Sequence, residues 1–160
     1  MRKLKSERGQ SLVELSISML VLLYLLSGAV EFGLAFFQFV QLRDAAQEGA
    51  LFGSMNPNNA IEDRVRAASN SPIILDQRNP ALPRYVDVDI SAKDVETGDD
   101  IDDVTQACEG DAITVRVSFD HQIFMPFIPA LLGRTTLPLV ATVTDTVLYP
   151  RPGQPGTHCY

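Results

Sequence analysis

The sequence predicts an α+β protein: a long N-terminal transmembrane helix and stem, then a small head of one short helix and a three- to four-stranded antiparallel sheet. Three observations predict this. Leu15 to Val30 carries no charged residue, and between Ser11 and Val40 the only acidic ones are Glu14 and Glu31. Later segments alternate apolar and polar residues strictly, at Val86, Val88, Ile90, at Ile113, Val115, Val117, Phe119, and at Leu137, Leu139, Ala141, Val143, which is the period of a half-buried strand. Between helix and strands, Ile61, Val65 and Ala68 share one helical face before Ser71-Pro72. The implied organisation is a basic leader peptide (1–9), the transmembrane helix and stem (10–54), an extracytoplasmic head (55–149) and a Pro/Gly-rich tail (150–160).

With 160 residues the chain holds one domain beside an anchor. Its 46% hydrophobic and 21% charged composition is that of an ordinary soluble protein only on average, because the apolar residues crowd into the first third. Charge is divided as sharply. Arg2, Lys3, Lys5 and Arg8 precede the apolar run against Glu7 alone, and basic residues flanking a span stay on the cytoplasmic side. The reading is a single-pass protein of the cytoplasmic membrane, N-terminus inside and head outside. From Arg43 onward nine Lys and Arg face 17 Asp and Glu, a formal −8, which excludes the basic footprint that nucleic-acid binding needs.

A spanning helix needs about 20 residues. The apolar run is longer, so the helix should leave the bilayer as an amphipathic stem through Arg43 to Phe52 and end at Gly53, ahead of Asn56 and Pro57. An acid in such a segment costs roughly 2.5 to 3.5 kcal/mol near the bilayer centre, so Glu14 needs an explanation. A cut between Gly9 and Gln10 would create an α-amine four residues before Glu14, on the same helical face and at the positive end of the helix dipole. The plainer alternative is a carboxylate snorkelling into the headgroup layer. Glu31 follows Glu14 by about 25 Å of helix at 1.5 Å per residue, so the two acids bracket the lipid-spanning part. Glu31 is either an acid at the outer interface or a specific charge partner. Ala45, Gly49 and Gly53, spaced i, i+4, i+8, form a small-residue stripe, echoed by Ala29 and Gly33. It suits close packing either on another subunit or on the protein's own head.

In the head, Asn59 to Glu62 resembles a capping arrangement for the short helix. If the last two strands form a hairpin, the region before Ala112 lies beside the end of the second strand, bringing Cys108 and Cys159 to one edge. An oxidising compartment would allow that disulfide; the alternative is two free thiols with Cys159 in an extended tail. The acidic run from Asp94 to Asp111 lacks the spaced ligands of a calcium loop and reads as solvated. Ile123 to Leu132, between the hairpin strands, is more apolar than a connection should be; it either closes over the core or contacts a partner or the membrane. No catalytic triad, phosphate loop or metal-ligand spacing is present, and His121 and His158 read as surface or interface residues. An enzyme, and any cofactor or metal, is not expected.

Arg8-Gly9-Gln10-Ser11-Leu12-Val13-Glu14 ahead of an apolar helix resembles the class III signal of type IV prepilins and pseudopilins. Val30-Glu31-Phe32-Gly33 and Leu42-Arg43-Asp44-Ala45-Ala46-Gln47-Glu48-Gly49-Ala50 extend the likeness to the TadE-like proteins of tight-adherence (Tad/Flp) pilus systems, over roughly residues 8 to 54. Cys108-Glu109-Gly110-Asp111, the β-rich run to Phe119 and the Pro-containing apolar loop add a looser likeness. The resemblance implies cleavage after Gly9 by a prepilin peptidase, Glu14 as fifth residue of the mature chain, and a pilin-like head. Gln10 departs from the family's usual aromatic first residue, which bears on methylation of the new terminus. It further implies a minor pilin or pseudopilin in assembly of adhesive pili, whose partners are other pilin-like subunits, the assembly platform and the lipid bilayer. The protein would reside in the inner membrane or be incorporated in the pilus.

Two other readings use the same segment. Ser27-Gly28-Ala29 offers small residues to an ordinary signal peptidase, which would release a secreted binding protein beginning at Val30. An uncut signal anchor would display a periplasmic adaptor domain.

Overall fold

The structure is a computed structural model in which residues 7–68, 71–81, 84–125 and 128–148 are described. The expectations for the basic residues before Glu7, for the tail, for His158 and for Cys159 lie outside those residues.

One helix, α1 (Glu7–Met55), runs unbroken for 49 residues. It contains the apolar segment and stem without a proline or a polar cluster to stop it. It passes Gly53, the expected end, because Gly53 is held in the packing: a methyl there would sit 3.0 Å from Ile61 Cδ1 and 3.2 Å from Ile113 Cγ2. The chain leaves the helix only at Asn56-Pro57. A short α2 (Ile61–Ala67) follows. The expected Asn59 cap is absent; Asn58 instead accepts from the Ala60 N–H through Oδ1 at 2.7 Å, a local turn that aims the chain into α2.

The head is completed by strands β1 (Val86–Lys93), β2 (Asp100–Ile101), β3 (Ala112–Gln122) and β4 (Thr136–Thr146), a 3₁₀ turn at Val104–Gln106, and α3 (Ile128–Leu132) between β3 and β4. The sheet is antiparallel in the order β2-β1-β3-β4. All three strands predicted from alternation are present; the short β2 edge arises inside the acidic run, where no alternation announces it. Val86 faces Phe119 across β1 and β3, and Ala112 faces Thr146 across β3 and β4, so the period-2 apolar sets fall on one face.

That face packs on the distal half of α1 and on α2. Leu42, Ala45, Ala46 and Ala50 of the helix, Ile61 and Val65 of α2, and Ile113, Val115, Val117 and Ala141 of the sheet form the core. Small residues on α1 are what let the sheet approach. A methyl at Gly49 would overlap Val65 Cγ2 and touch Val115, and Ala45 is fully buried. The stripe Ala45, Gly49 and Gly53 is therefore filled by the protein's own head. Two buried polar side chains bind the intervening loop. Gln41 makes a paired clamp on the backbone of Ile73, Nε2 to O and Oε1 from N, each 2.8 Å. Arg66, 4% exposed, donates to the carbonyls of Leu75 at 2.8 Å and Val86 at 3.2 Å and to Glu62 at 2.7 Å.

Candidate functional site

Two features of α1 concern function: the helical surface the head leaves uncovered, and the point where the head meets the apolar segment. From Leu12 to Leu26 every large apolar side chain of α1 is more than half exposed, Leu22 at 66% and Leu25 at 67% among them. By length and hydropathy this helix can cross a membrane. Solvent exposure of so many apolar groups in one stretch needs a nonaqueous cover. Gly9, Gln10, Val13, Glu14, Ile17 and Ser18 line a shallow groove on one face, so Gln10 and Glu14 are neighbours as helical spacing requires. The Gly9–Gln10 bond lies in the first turns of the helix, where backbone opening is easiest.

The head reaches the helix along a defined line. Strand β3 runs antiparallel to α1, with Ile113 against Gly53 and Val115 against Gly49 near one end. At the other end His121 meets the helix at Glu31 and Gln38. Its Nε2 lies 2.8 Å from Glu31 Oε1, and Nδ1 lies 2.6 Å from Gln38 Oε1. The Phe124 N–H donates to the same Glu31 oxygen at 3.2 Å. Phe124 also stacks edge-on to the imidazole, with centroids 6.3 Å apart. A glutamine amide can turn either its oxygen or its NH2 toward the ring, so Nδ1 has a partner whichever tautomer is present.

This cluster is closed to solvent. His121 is 1% exposed and Glu31 7%, and among the described residues Glu31 Oε2 is buried with no hydrogen-bond partner. The expectation that His121 lies at a surface or interface is corrected. It occupies the inward parity of β3, continuing Val115, Val117 and Phe119, and faces an acid on the helix that would otherwise stand bare beside apolar residues. Glu31, for which an interfacial position and a pairing role were both open, is paired within its own chain.

Among the described side chains of the apolar connection between β3 and β4 none belongs to the core, and Phe124 is 61% exposed. The reason is direction: the hairpin points back down α1, past Glu31, and Ser27 Oγ donates to Met125 Sδ at 2.9 Å. Phe127 and Leu131 of this loop lie outside the described side chains.

At the opposite edge, Gly110 N–H donates to Val147 O and Val147 N–H to Asp111 O, both at 2.9 Å, extending the hairpin toward Cys108. Asp111, 5% exposed, accepts from the Cys108 N–H at 2.7 Å and the Val95 N–H at 3.3 Å. Asp94 accepts from Glu96 and Thr97, and Asp103 from Thr105. Much of the acidic run thus shapes its own turns. Cys108 is disulfide-bonded.

Residues 9–51 match the family model described as TadE-like protein. The matched stretch is 43 of the 160 residues. The TadE-like match lies wholly within α1 and ends before the head begins, so the family likeness resides in the helix that carries the exposed apolar surface, Glu14 and Glu31. No curated protein and no solved structure matches the chain.

Proposed function

We propose that this protein is a TadE-like minor pilin or pseudopilin of a Tad/Flp-type pilus, anchored by α1 in the cytoplasmic membrane with its head outside. The observation that carries the reading is the TadE-like match to the one segment whose apolar surface the head leaves bare. Prepilin peptidase removes residues 1–9, and the uncovered face of α1 associates laterally with other pilin-like subunits at the assembly platform. Gly9 and Gln10 form the processing site. Glu14, exposed on the helix and close to the new amine, sets register, since a misaligned neighbour leaves a charge unpaired in apolar surroundings at a cost of several kcal/mol.

The stem stripe plays no part in lateral association on this reading, because Ala45, Gly49 and Gly53 are occupied by the head. Assembly falls to the segment before Glu31. A Cys108–Cys159 disulfide would tie the tail to the hairpin edge, and closing a loop of that size contributes about 4 kcal/mol in the chain-entropy model. Against the signal-peptidase alternative stands the tie from Ser27 to Met125, which a cut before Val30 would remove.

N-terminal sequencing of the membrane-extracted protein tests the proposal. The expected first residue is Gln10; a start at Val30 means a secreted protein, and a start at Met1 an uncut anchor. Glu14→Gln should be processed and inserted normally yet fail to enter assemblies, so normal assembly of that variant would remove the register role.

A further inference from the structure

The hairpin's position along α1 has a consequence for the membrane. Whether the hydrocarbon is taken to begin at Leu12 or, just past Glu14, at Leu15, a span of about 20 residues ends at Glu31 or Leu34. Ser27 then lies roughly 6 to 10 Å inside that boundary at 1.5 Å of rise per residue. Met125 is in contact with Ser27 and must share its depth. The helix at the same level exposes apolar side chains as well: Phe32 and Phe36 stack with centroids 6.2 Å apart and are 72% and 56% exposed. No described residue of the tip between Ile123 and Gly133 carries a charge.

We infer that the tip of the β3–β4 hairpin, with Phe124, Met125 and Ile128 among its described members, is a lipid-contacting element seated in the acyl region of the outer leaflet beside α1. Its occupant is lipid because the tip is continuous with the membrane-crossing surface of α1 and shares its apolar character. The same placement accounts for the buried cluster. Glu31 lies at the hydrocarbon boundary or up to about 4.5 Å inside it, where His121 and the Phe124 N–H supply donors in place of water. The head is thereby held against the membrane at two points, the helix it grows from and the hairpin tip.

The inference rests on α1 crossing the bilayer, and the test separates the two. The chain contains no tryptophan, so each introduced tryptophan reports alone. Full-length protein carrying Phe124→Trp is reconstituted at one copy per nanodisc, with lipids brominated either near the headgroup end or near the terminal methyl of the acyl chain. Leu22→Trp reports the anchor, and Thr144→Trp, about 26 Å up β4 from the hairpin end at ~3.3 Å per residue, reports the outer head. The expected result is blue-shifted emission from position 124, quenched by the shallow-brominated lipid more than by the deep one, with position 144 unquenched. Red-shifted, unquenched emission from position 124 would place the tip in water and overturn the inference. Blue-shifted but unquenched emission would place it against protein and overturn it equally. Failure of quenching at position 22 would instead remove the anchor on which it depends. Ala130→Trp, at an exposed position of α3, carries the same test if Phe124→Trp lowers the sheet's circular dichroism.

Discussion

Replacing His121 should separate the head from its helix more effectively than any exposed substitution. In His121→Ala, Glu31 keeps, among the described residues, only the Phe124 N–H as a donor, 3.2 Å away, and its second oxygen has no partner among them to begin with. Removing one partner of a buried hydrogen bond typically costs about 1 to 3 kcal/mol, and more where the group left behind is charged, because that group stays unsatisfied. Glu31→Gln keeps an oxygen able to accept from both His121 Nε2 and Phe124 N, so it loses only the charge-assisted part of those bonds, which is roughly half their strength. A loss of about 1 kcal/mol follows for that variant. Combining the two should cost less than their sum, since a neutral amide tolerates the lost donor far better than a carboxylate. Urea unfolding of the full chain in detergent micelles, followed by the β-sheet circular dichroism, measures all three midpoints at a common slope. The ranking His121→Ala well below Glu31→Gln, with a coupling above about 0.5 kcal/mol, is the expected outcome. Additive effects, or two single variants within that margin of wild type, would show that the cluster does not hold head to helix.

Two further substitutions probe the packing. Alanine at either Gly49 or Gly53 gains up to about 1 kcal/mol of helix propensity. At Gly49 the methyl overlaps the stiff, fully buried Val65, and overpacking of about 1 to 3 kcal/mol should outweigh that gain. At Gly53 it would sit 3.0 Å from Ile61 Cδ1 and 3.2 Å from Ile113 Cγ2, contacts that need only a few tenths of an ångström of give, so the net change should be smaller; Gly49→Ala should melt lower than Gly53→Ala, and adding Val65→Ala should restore it. Arg66→Lys should lower stability by about 2 kcal/mol, because one ammonium cannot reproduce the planar fork that serves the Leu75 and Val86 carbonyls together with Glu62. A melting temperature equal to wild type would show that the fork is not needed.

The sequence by itself determined the parts whose signal is local. A segment of about 30 residues interrupted by only two acids is long and apolar enough to cross a membrane whatever follows it, and strict alternation at β1, β3 and β4 sets which side chains face inward. The TadE-like likeness is also local, confined to α1. Tertiary structure decided what each apolar surface meets. Ala45, Gly49 and Gly53 have the spacing of a subunit interface, and only the sheet lying across them shows that they are taken. His121 has the parity of a core position at the end of β3, a legible hint, but its partner Glu31 is 90 residues away and comes into register only when β3 lies antiparallel to the helix. Gln41 and Arg66 look like ordinary polar residues until the backbone they clamp is folded against them. The hairpin loop shows the division most plainly. Its composition says that it must leave water, and only its direction along α1 says where it goes. Hydrophobicity and period are properties of a segment, whereas a partner is a property of two segments brought together by the fold.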